Sequence, residues 1–339
     1  MTIAHLMKPT GWFQVGWSAD LPVGKVVPMQ YFGHELVAFR GKDAVVRILD
    51  AHCQHLGANL AYGGCVVDDG IQCPFHGWVW DENGRNVSIP YQDRPNRTRR
   101  VRSWPVAEIN ESIYLWHDVD GSPPVWEVPD VFRDLEAYTA GRDFHRAYPG
   151  GRNHFTGVRI PPNVLPENAV DVEHFRFVHR TPTAPVALHE EADEHTWKAK
   201  IGFGRRWASG QDTDETTNTL YIVWSGIGIS VTAEHMRAGV RVVNICPTPV
   251  DDETCEIFGT VWIEKTERDA EPGYLEGRLQ ETHAALPDDV NIWAHQIYID
   301  PPGLAASEAA GFTRLRKWVR NFYPVGHGAK SMPAISSTS

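Results

Sequence analysis

HCQHLGANLAYGGCVVDDGIQCPFHGWVW, residues His52 to Trp80, carries a cysteine and a histidine at each end: Cys53 and His55, then Cys73 and His76. The pattern is C-x-H, seventeen residues, then C-x-x-H. Two cysteines and two histidines can hold a structural zinc. Zinc fingers, however, usually bring both cysteines from one hairpin and both histidines from one helix, whereas here each loop supplies one of each. That division suits a two-iron cluster with unlike irons, both thiolates on one and both imidazoles on the other, which is a Rieske [2Fe–2S] centre. Neutral imidazoles in place of thiolates raise its potential, to between about −150 and +300 mV. Gly57, Pro74 and Gly77 allow the tight turns such loops need. Leu56, Phe75 and Trp78 are expected to shield the cluster from water, and Cys65, Cys246 and Cys255 to be small buried residues.

Around this stretch the chain is bounded by its composition. It has 339 residues, 42% of them apolar, enough for a substantial core in one large or two ordinary domains. The net charge of −11 argues against a nucleic-acid surface. The N-terminus MTIAHLMKPTGWFQ lacks the charged start and apolar core of a secretory signal. The longest apolar run, Leu220 to Val231, is too short for a membrane span of about 20 residues. A cytoplasmic protein is expected, and there clustered cysteines are more often ligands or catalytic groups than disulfides.

Residues 10–120 are built of short β-type runs (GKVVPMQYFGHELVAFR, AVVRIL, SIYLWHDV) separated by Gly, Pro, Asn and Asp, which predicts an all-β domain over 1–120. The proline-rich GSPPVWEVPD, Gly121 to Asp130, marks a boundary. Residues 121–339 mix strand patterns (TNTLYIVWSGIGISVT, RVVNICPTP, CEIFGTVWIEK) with helix patterns (Pro166–His179, Gly273–Leu286, Asp289–Ile299, Phe312–Tyr323). This predicts an α+β second domain with one sheet. No GxGxxG loop fits a nucleotide site: GIGIS, Gly226 to Ser230, lies in a strand-like run without a following helix.

A second constellation lies in ENAVDVEHFRFVH, where Asp171, His174 and His179 form D-x-x-H-x-x-x-x-H. A non-haem Fe(II) that binds O2 takes two imidazoles, one carboxylate and open positions. Asp171 and His174 are spaced for one helix face. His174 and His179 would lie about 140° apart on an ideal helix. They can share a metal only if the helix ends between them, and Thr181-Pro182 supplies a reason. On its own the spacing more often describes a surface helix with two histidines.

Together these residues make the chain similar to the Rieske non-haem iron oxygenases. CxH with CPFHGW resembles their cluster domain, and N-x-x-D-x-x-H-x-x-x-x-H resembles their catalytic-iron segment. The resemblance implies a β cluster domain and a helix-grip-type catalytic domain with an antiparallel sheet and helices. It implies a [2Fe–2S] cluster on Cys53, His55, Cys73 and His76, and a mononuclear Fe(II) on His174 and His179. The third ligand is expected at the helix opened by PDDVNIW, where Asp289 matches best over Asp288 and Asp300, and Asp288 reads as a helix cap. Asn168 would sit near the iron. Asp171 would bridge His174 to the cluster histidine His76 of a neighbouring subunit, since such enzymes form head-to-tail homotrimers.

LGANLAYGG, Ile89 to Asp118, PENAVDVEHFRFVH and LRKWVRNFY are similar to segments of the steroid-type branch, the 3-ketosteroid 9α-hydroxylases and cholesterol 7-desaturases. That implies O2-dependent hydroxylation of a hydrophobic polycyclic substrate, with desaturation or demethylation as alternatives. Electrons would come from a separate NAD(P)H-dependent reductase, with or without a ferredoxin. Trp224, Ile227, Ile229, Val231, Phe258 and Trp262 are candidates for an apolar pocket. RPNRTRRVR, Arg94 to Arg102, is either a solvated loop or a docking patch for an acidic electron donor. A bare Rieske electron carrier would need nothing after residue 130, and a zinc-stapled binding protein would be colourless.

Overall fold

Strand-forming runs broken at glycine, asparagine and aspartate become eighteen strands among the described residues, which in this computed structural model are 3–204, 218–236 and 239–323. In the first part, β1 (Gly11–Trp17), β2 (Val26–Tyr31), β3 (His34–Arg40), β4 (Val46–Asp50), β5 (Cys65–Val67), β6 (Gly70–Gln72), β7 (Val79–Trp80), β8 (Asn86–Ser88), β9 (Ser103–Trp104), β10 (Val106–Ile109) and β11 (Ser112–His117) form three antiparallel sheets. Their orders are β1-β11-β10, β2-β3-β4-β9 and β5-β6-β7-β8. The second part supplies β12 (Arg152–Val158), β13 (Val186–Ala192), β14 (Thr196–Gly202), β15 (Thr219–Ser225), β16 (Ile229–Met236), β17 (Gly239–Pro249) and β18 (Cys255–Ile263). These make one seven-stranded antiparallel sheet, β12-β18-β17-β16-β15-β14-β13, followed by helices Tyr274–His283, Ala285–Trp293 and Ala309–Val319. An all-β first part and an α+β second part agree with the sequence.

The large sheet is covered on both faces, and strand alternation decides what each face carries. On one face Leu220, Ile222 and Trp224 of β15 line a cavity with Thr232 of β16 and Val243 and Ile245 of β17. The opposite face meets the β1-β11-β10 sheet. There the Asn244 amide donates to Tyr114 Oη (2.6 Å), Thr248 Oγ1 donates to the Gln14 carbonyl (2.6 Å) and Trp17 Nε1 donates to Thr260 Oγ1 (2.9 Å). One apolar core therefore joins β1, β10 and β11 to the catalytic sheet. A second core, holding Phe39, Leu49, Leu60, Ile71 and Trp80, encloses Cys53 and Cys73.

Several local expectations need correction. GIGIS is a hairpin turn between β15 and β16. Gly226 has φ +56°, and a Cβ on Gly228 would lie 2.2 Å from the Trp12 carbonyl oxygen. Both positions demand glycine for backbone reasons. The segment from Pro166 to His179 is not one helix. A 3-10 turn runs over Pro162–Ala169, and a single α turn over His174–Phe177. The helix expected over Asp289–Ile299 starts earlier, at Ala285, and ends at Trp293, so Asp288 lies inside it and is no cap. The boundary segment Gly121–Asp130 has no regular structure, yet Trp126 stacks on His195 at 4.3 Å and its carbonyl accepts from Trp12 Nε1.

Candidate active site

The two cluster loops are built alike. The amide of Gly57 donates to the Cys53 carbonyl (2.9 Å) and that of Gly77 to the Cys73 carbonyl (3.1 Å). The cysteine amides close the loops in return, onto the carbonyls of Ala58 and Trp78 (2.9 and 2.8 Å). Both glycines sit at positive φ, +79° and +71°, which lets each loop fold back sharply enough to put its cysteine at the stem and its histidine at the tip.

The four donors separate into a sulfur pair and an imidazole pair. Cys53 and Cys73 are buried and within hydrogen-bonding reach of each other. Burial raises the Cys53 thiol pKa first, and the neighbouring Cys73 adds to it. The rings of His55 and His76 lie 4.8 Å apart. His76 Nδ1 is buried without a partner, an acceptor or donor that the protein leaves open. This division is what an asymmetrically ligated two-iron cluster requires, so the residues fit the group.

Two neighbours brace the site: Trp78 stacks on His55 at 4.4 Å, and Trp80 Nε1 donates to Cys53 Sγ at 3.3 Å. The shielding expectation holds for Trp78 alone. Leu56 and Phe75 are 66% and 62% exposed, because they stand beside the histidines at the loop tips. Cys65 is also exposed, at the head of the short strand β5, whereas Cys246 and Cys255 are buried as expected.

The second constellation comes together because its helix is short. Asp171 does not share a helix face with His174. It precedes the turn, and its Oδ1 accepts the amides of Glu173 and His174 (both 3.1 Å), which anchors the helix start. The turn ends at Phe177, and Arg180 reverses the chain with φ +55°. His179, two residues beyond the turn, lies alongside His174, with ring centroids 5.3 Å apart. Helix Ala285–Trp293 brings Asp289 to within 3.4 Å of His179 Nε2, while Asp288 points to solvent. The ligand atoms of His174, His179 and Asp289 all lie within 4.8 Å of one another.

His174 Nδ1 donates to the Asp171 carbonyl (2.6 Å), which leaves Nε2 free to coordinate. Burial lowers the His174 pKa, so the ring stays neutral; the hydrogen bond with Asp289 raises that of His179. Two imidazoles and one carboxylate in the wall of a cavity are the donor set of a non-haem iron site.

The cavity encloses about 330 Å³, and Asn168 lines it beside the three ligands. That volume is at the small end of ligand sites. Of the six sheet residues proposed for the pocket, only Trp224 lines it. Ile229 and Val231 alternate with the lining residues of β16, Ile227 sits in the hairpin turn, and Phe258 and Trp262 face the N-terminal sheet.

Three features were not found in the sequence. Glu167, buried, pairs with Arg316 of the last helix (2.7 Å), and its carbonyl accepts the amides of Val170 and Asp171 (both 3.1 Å). Glu234 and Arg241 form an ion pair on the cavity floor. Arg85 joins Arg97, Arg99 and Arg100 around one groove; its place there depends on folding of the β7–β8 turn. The arginines of 94–102 are exposed, with Arg102 lying over the Trp104 ring at 3.7 Å.

Comparisons agree with this geometry. Residues 11–105 match the Rieske [2Fe-2S] domain and residues 115–323 the 3-Ketosteroid 9alpha-hydroxylase C-terminal domain. The cholesterol 7-desaturase nvd 1 of Ciona intestinalis is 37% identical over 333 residues, covering 93% of this chain and 68% of that protein. A probable 3-ketosteroid-9-alpha-monooxygenase, oxygenase component, of Rhodococcus rhodochrous is 29% identical, covering 92% and 79%. The match to the Bombyx mori cholesterol 7-desaturase (38% identical) spans only 56% of this chain and 41% of that protein. Among solved structures, Pseudomonas putida NdmA with caffeine aligns with TM-score 0.68 at 18% identity, covering 91% and 89% of the two chains. Dicamba monooxygenase bound to dicamba aligns with TM-score 0.64 at 19% identity, covering 92% and 96%. At these identities the two structures speak for the fold. No helix among the described residues is long and apolar enough to cross a membrane.

Proposed function

As this chain belongs to the Rieske oxygenases with a 3-ketosteroid 9alpha-hydroxylase C-terminal domain, we propose that it hydroxylates a hydrophobic fused-ring compound of the steroid or sterol class. The observation that carries the reading is the largely apolar cavity lined in part by His174, His179 and Asp289. On this reading Cys53, Cys73, His55 and His76 would hold the [2Fe–2S] cluster, and His174, His179 and Asp289 would hold a mononuclear Fe(II). When bound, the two groups supply single electrons and activation of O2 for attack on a C–H bond. The chain's own residues do the rest. Ile222, Trp224, Val243 and Trp293 receive the apolar ring system and exclude water. Asp171 holds the amide of His174 with its side chain and the ring with its carbonyl, fixing which nitrogen faces the cavity.

The reading includes a homotrimer in the cytoplasm, served by a separate NAD(P)H-dependent reductase with or without a ferredoxin. Leu56, Tyr62, Phe75 and Tyr91 are exposed around the cluster loops, an apolar rim suited to cover by a second copy. The Asp171 carboxylate, 30% exposed, can then reach His76 of the neighbouring copy. The relative named as a monooxygenase component supports a partner reductase. Desaturation, after the relatives named cholesterol 7-desaturases, would use the same residues and differ in which C–H bond faces His174 and His179.

The test is turnover of cholesterol, a 3-ketosteroid, a bile-acid-like steroid and an aromatic acid with a surrogate reductase, NADH and labelled O2, read by mass spectrometry. One labelled oxygen in a steroid is expected. An unlabelled steroid with a new double bond moves the reading to desaturation. Oxygen uptake with every steroid unchanged removes the substrate class.

A further inference from the structure

The cavity floor is a grid of three cross-strand rungs. Leu220, Glu234 and Arg241 are in register across β15, β16 and β17, then Ile222, Thr232 and Val243, then Trp224, Ser230 and Ile245. Two rungs are apolar apart from a hydroxyl, and the first carries an ion pair. An ion pair in a cavity wall, with the Arg241 side chain 30% and the Glu234 side chain 12% exposed, adds little to stability, because desolvation offsets its attraction. Cross-strand apolar pairs would serve the sheet as well.

The geometry leaves the pair unfinished. Arg241 Nε and Nη2 both point at Glu234 Oε2. Arg241 Nη1 and Glu234 Oε1 have no partner among the described residues, so a donor and an acceptor stand side by side on the floor. Of the neutral polar groups in the lining, Asn168 stands beside the three candidate iron ligands, Ser230 lies two rungs away from the pair, and the three threonines are committed elsewhere. The hydroxyls of Thr181, Thr232 and Thr282 donate to the carbonyls of Thr183, Val243 and Arg278.

Resting on the reading that the cavity receives a fused-ring compound, we propose that Glu234 and Arg241 are its specificity anchor and bind a neutral hydroxyl at one end of that substrate. Arg241 Nη1 donates to the hydroxyl oxygen, and Glu234 Oε1 accepts the hydrogen bond that the hydroxyl donates. A carboxylate is disfavoured, since Glu234 already neutralises Arg241 and would repel it. A ketone satisfies the guanidinium and leaves Glu234 Oε1 unmatched. Anchoring one end of a rigid polycycle fixes which carbon faces His174 and His179, so the pair selects position as well as substrate.

The test uses the anaerobic holoenzyme and three probes that differ at one carbon: 5α-androstan-3β-ol, 5α-androstan-3-one and 5α-androstane. Binding is read by equilibrium dialysis. The wild-type protein is expected to hold the alcohol about tenfold more tightly than the hydrocarbon, with the ketone between them. In the double variant Glu234→Leu/Arg241→Met, which removes the pair without stranding a charge, all three are expected to bind within about twofold. Glu234→Gln, which turns the free acceptor into a donor, is expected to favour the ketone over the alcohol. Equal binding of the three probes by wild type, or a preference that survives in the folded double variant, overturns the anchor and leaves the fused-ring reading standing. If no probe binds, the fused-ring reading falls and the anchor with it.

Discussion

Replacing Trp80 with phenylalanine should lower the reduction potential of the cluster. Trp80 is fully buried, and its indole N–H points at Cys53 Sγ from 3.3 Å. Hydrogen bonds to the sulfurs are one of the terms that set such potentials. The reduced cluster carries one more negative charge, so this bond is stronger in the reduced state. A differential of about 1 kcal/mol is a reasonable fraction of a charge-assisted bond. For a one-electron couple tenfold in equilibrium is about 59 mV, so about 1 kcal/mol corresponds to about 40 mV. Phenylalanine keeps most of the ring packing in the second core, and the fold should lose only about 1–2 kcal/mol. The assay is an EPR-monitored redox titration of the purified variant, with thermal unfolding alongside. A midpoint within about 10 mV of wild type, with the cluster intact, would show that the indole contact does not act on the cluster's charge.

Asp171→Asn keeps the Oδ1 acceptor that anchors the helix start and removes only the charge. Iron content and melting temperature should hold while turnover falls about 100-fold; normal turnover refutes the bridging role. Arg316→Met strands the buried Glu167 and should cost about 3 kcal/mol in urea unfolding, most of it recovered on adding Glu167→Gln. Burial pushes the His117 pKa down to about 4, against a hydrogen bond to the Pro9 carbonyl that raises it. A depressed histidine makes stability fall as pH drops from about 6.5 towards 4, a loss of about 2 kcal/mol at pH 5 that His117→Phe should abolish. Changing Arg97, Arg99 and Arg100 together to glutamine should raise the KM for the reductase about tenfold at low salt and flatten its dependence on ionic strength. An unchanged salt profile would make the run a solvated loop.

The candidate cluster site was legible because its four candidate donors lie in two short loops whose spacing is fixed by local turns. His174 and His179 were legible for the same reason, including the need for the helix to end between them. Asp289 was reachable from the resemblance and is separated from Asp288 by burial. What the sequence could not resolve depends on neighbours brought from afar. Which strand residues face the cavity is set by the register of β15, β16 and β17, and one side of the sheet is taken by β1 and β11, more than a hundred residues upstream. The pairing of Glu167 with Arg316 spans 149 residues and leaves no periodic signal. Leu56 and Phe75 look like shielding groups until their places at the loop tips are seen.

The path of the chain between Trp17 and Val106 has a consequence for engineering. β1 enters the large core, the chain builds two sheets, of which β2-β3-β4-β9 sends Tyr31, Leu36, Ala38, Ile48 and Trp104 into that same core while the second core encloses Cys53 and Cys73, and it returns through β10 and β11. The cysteine-bearing part is thus an insertion held by both ends and by one sheet face, rather than a bead strung before the catalytic half. A cut near residue 120 would strip the large sheet of its backing and expose Tyr114 and the face that carries Asn244. Grafting the stretch between Trp17 and Val106 from a relative would leave β1, β10 and β11 in place but would replace Tyr31, whose hydroxyl donates to Glu256 (2.8 Å), and Phe32 and Gly33, whose amides donate to the carbonyls of Pro249 and Val250. An exchange of electron-delivery units therefore has to carry matching residues for the end of β17 and the start of β18.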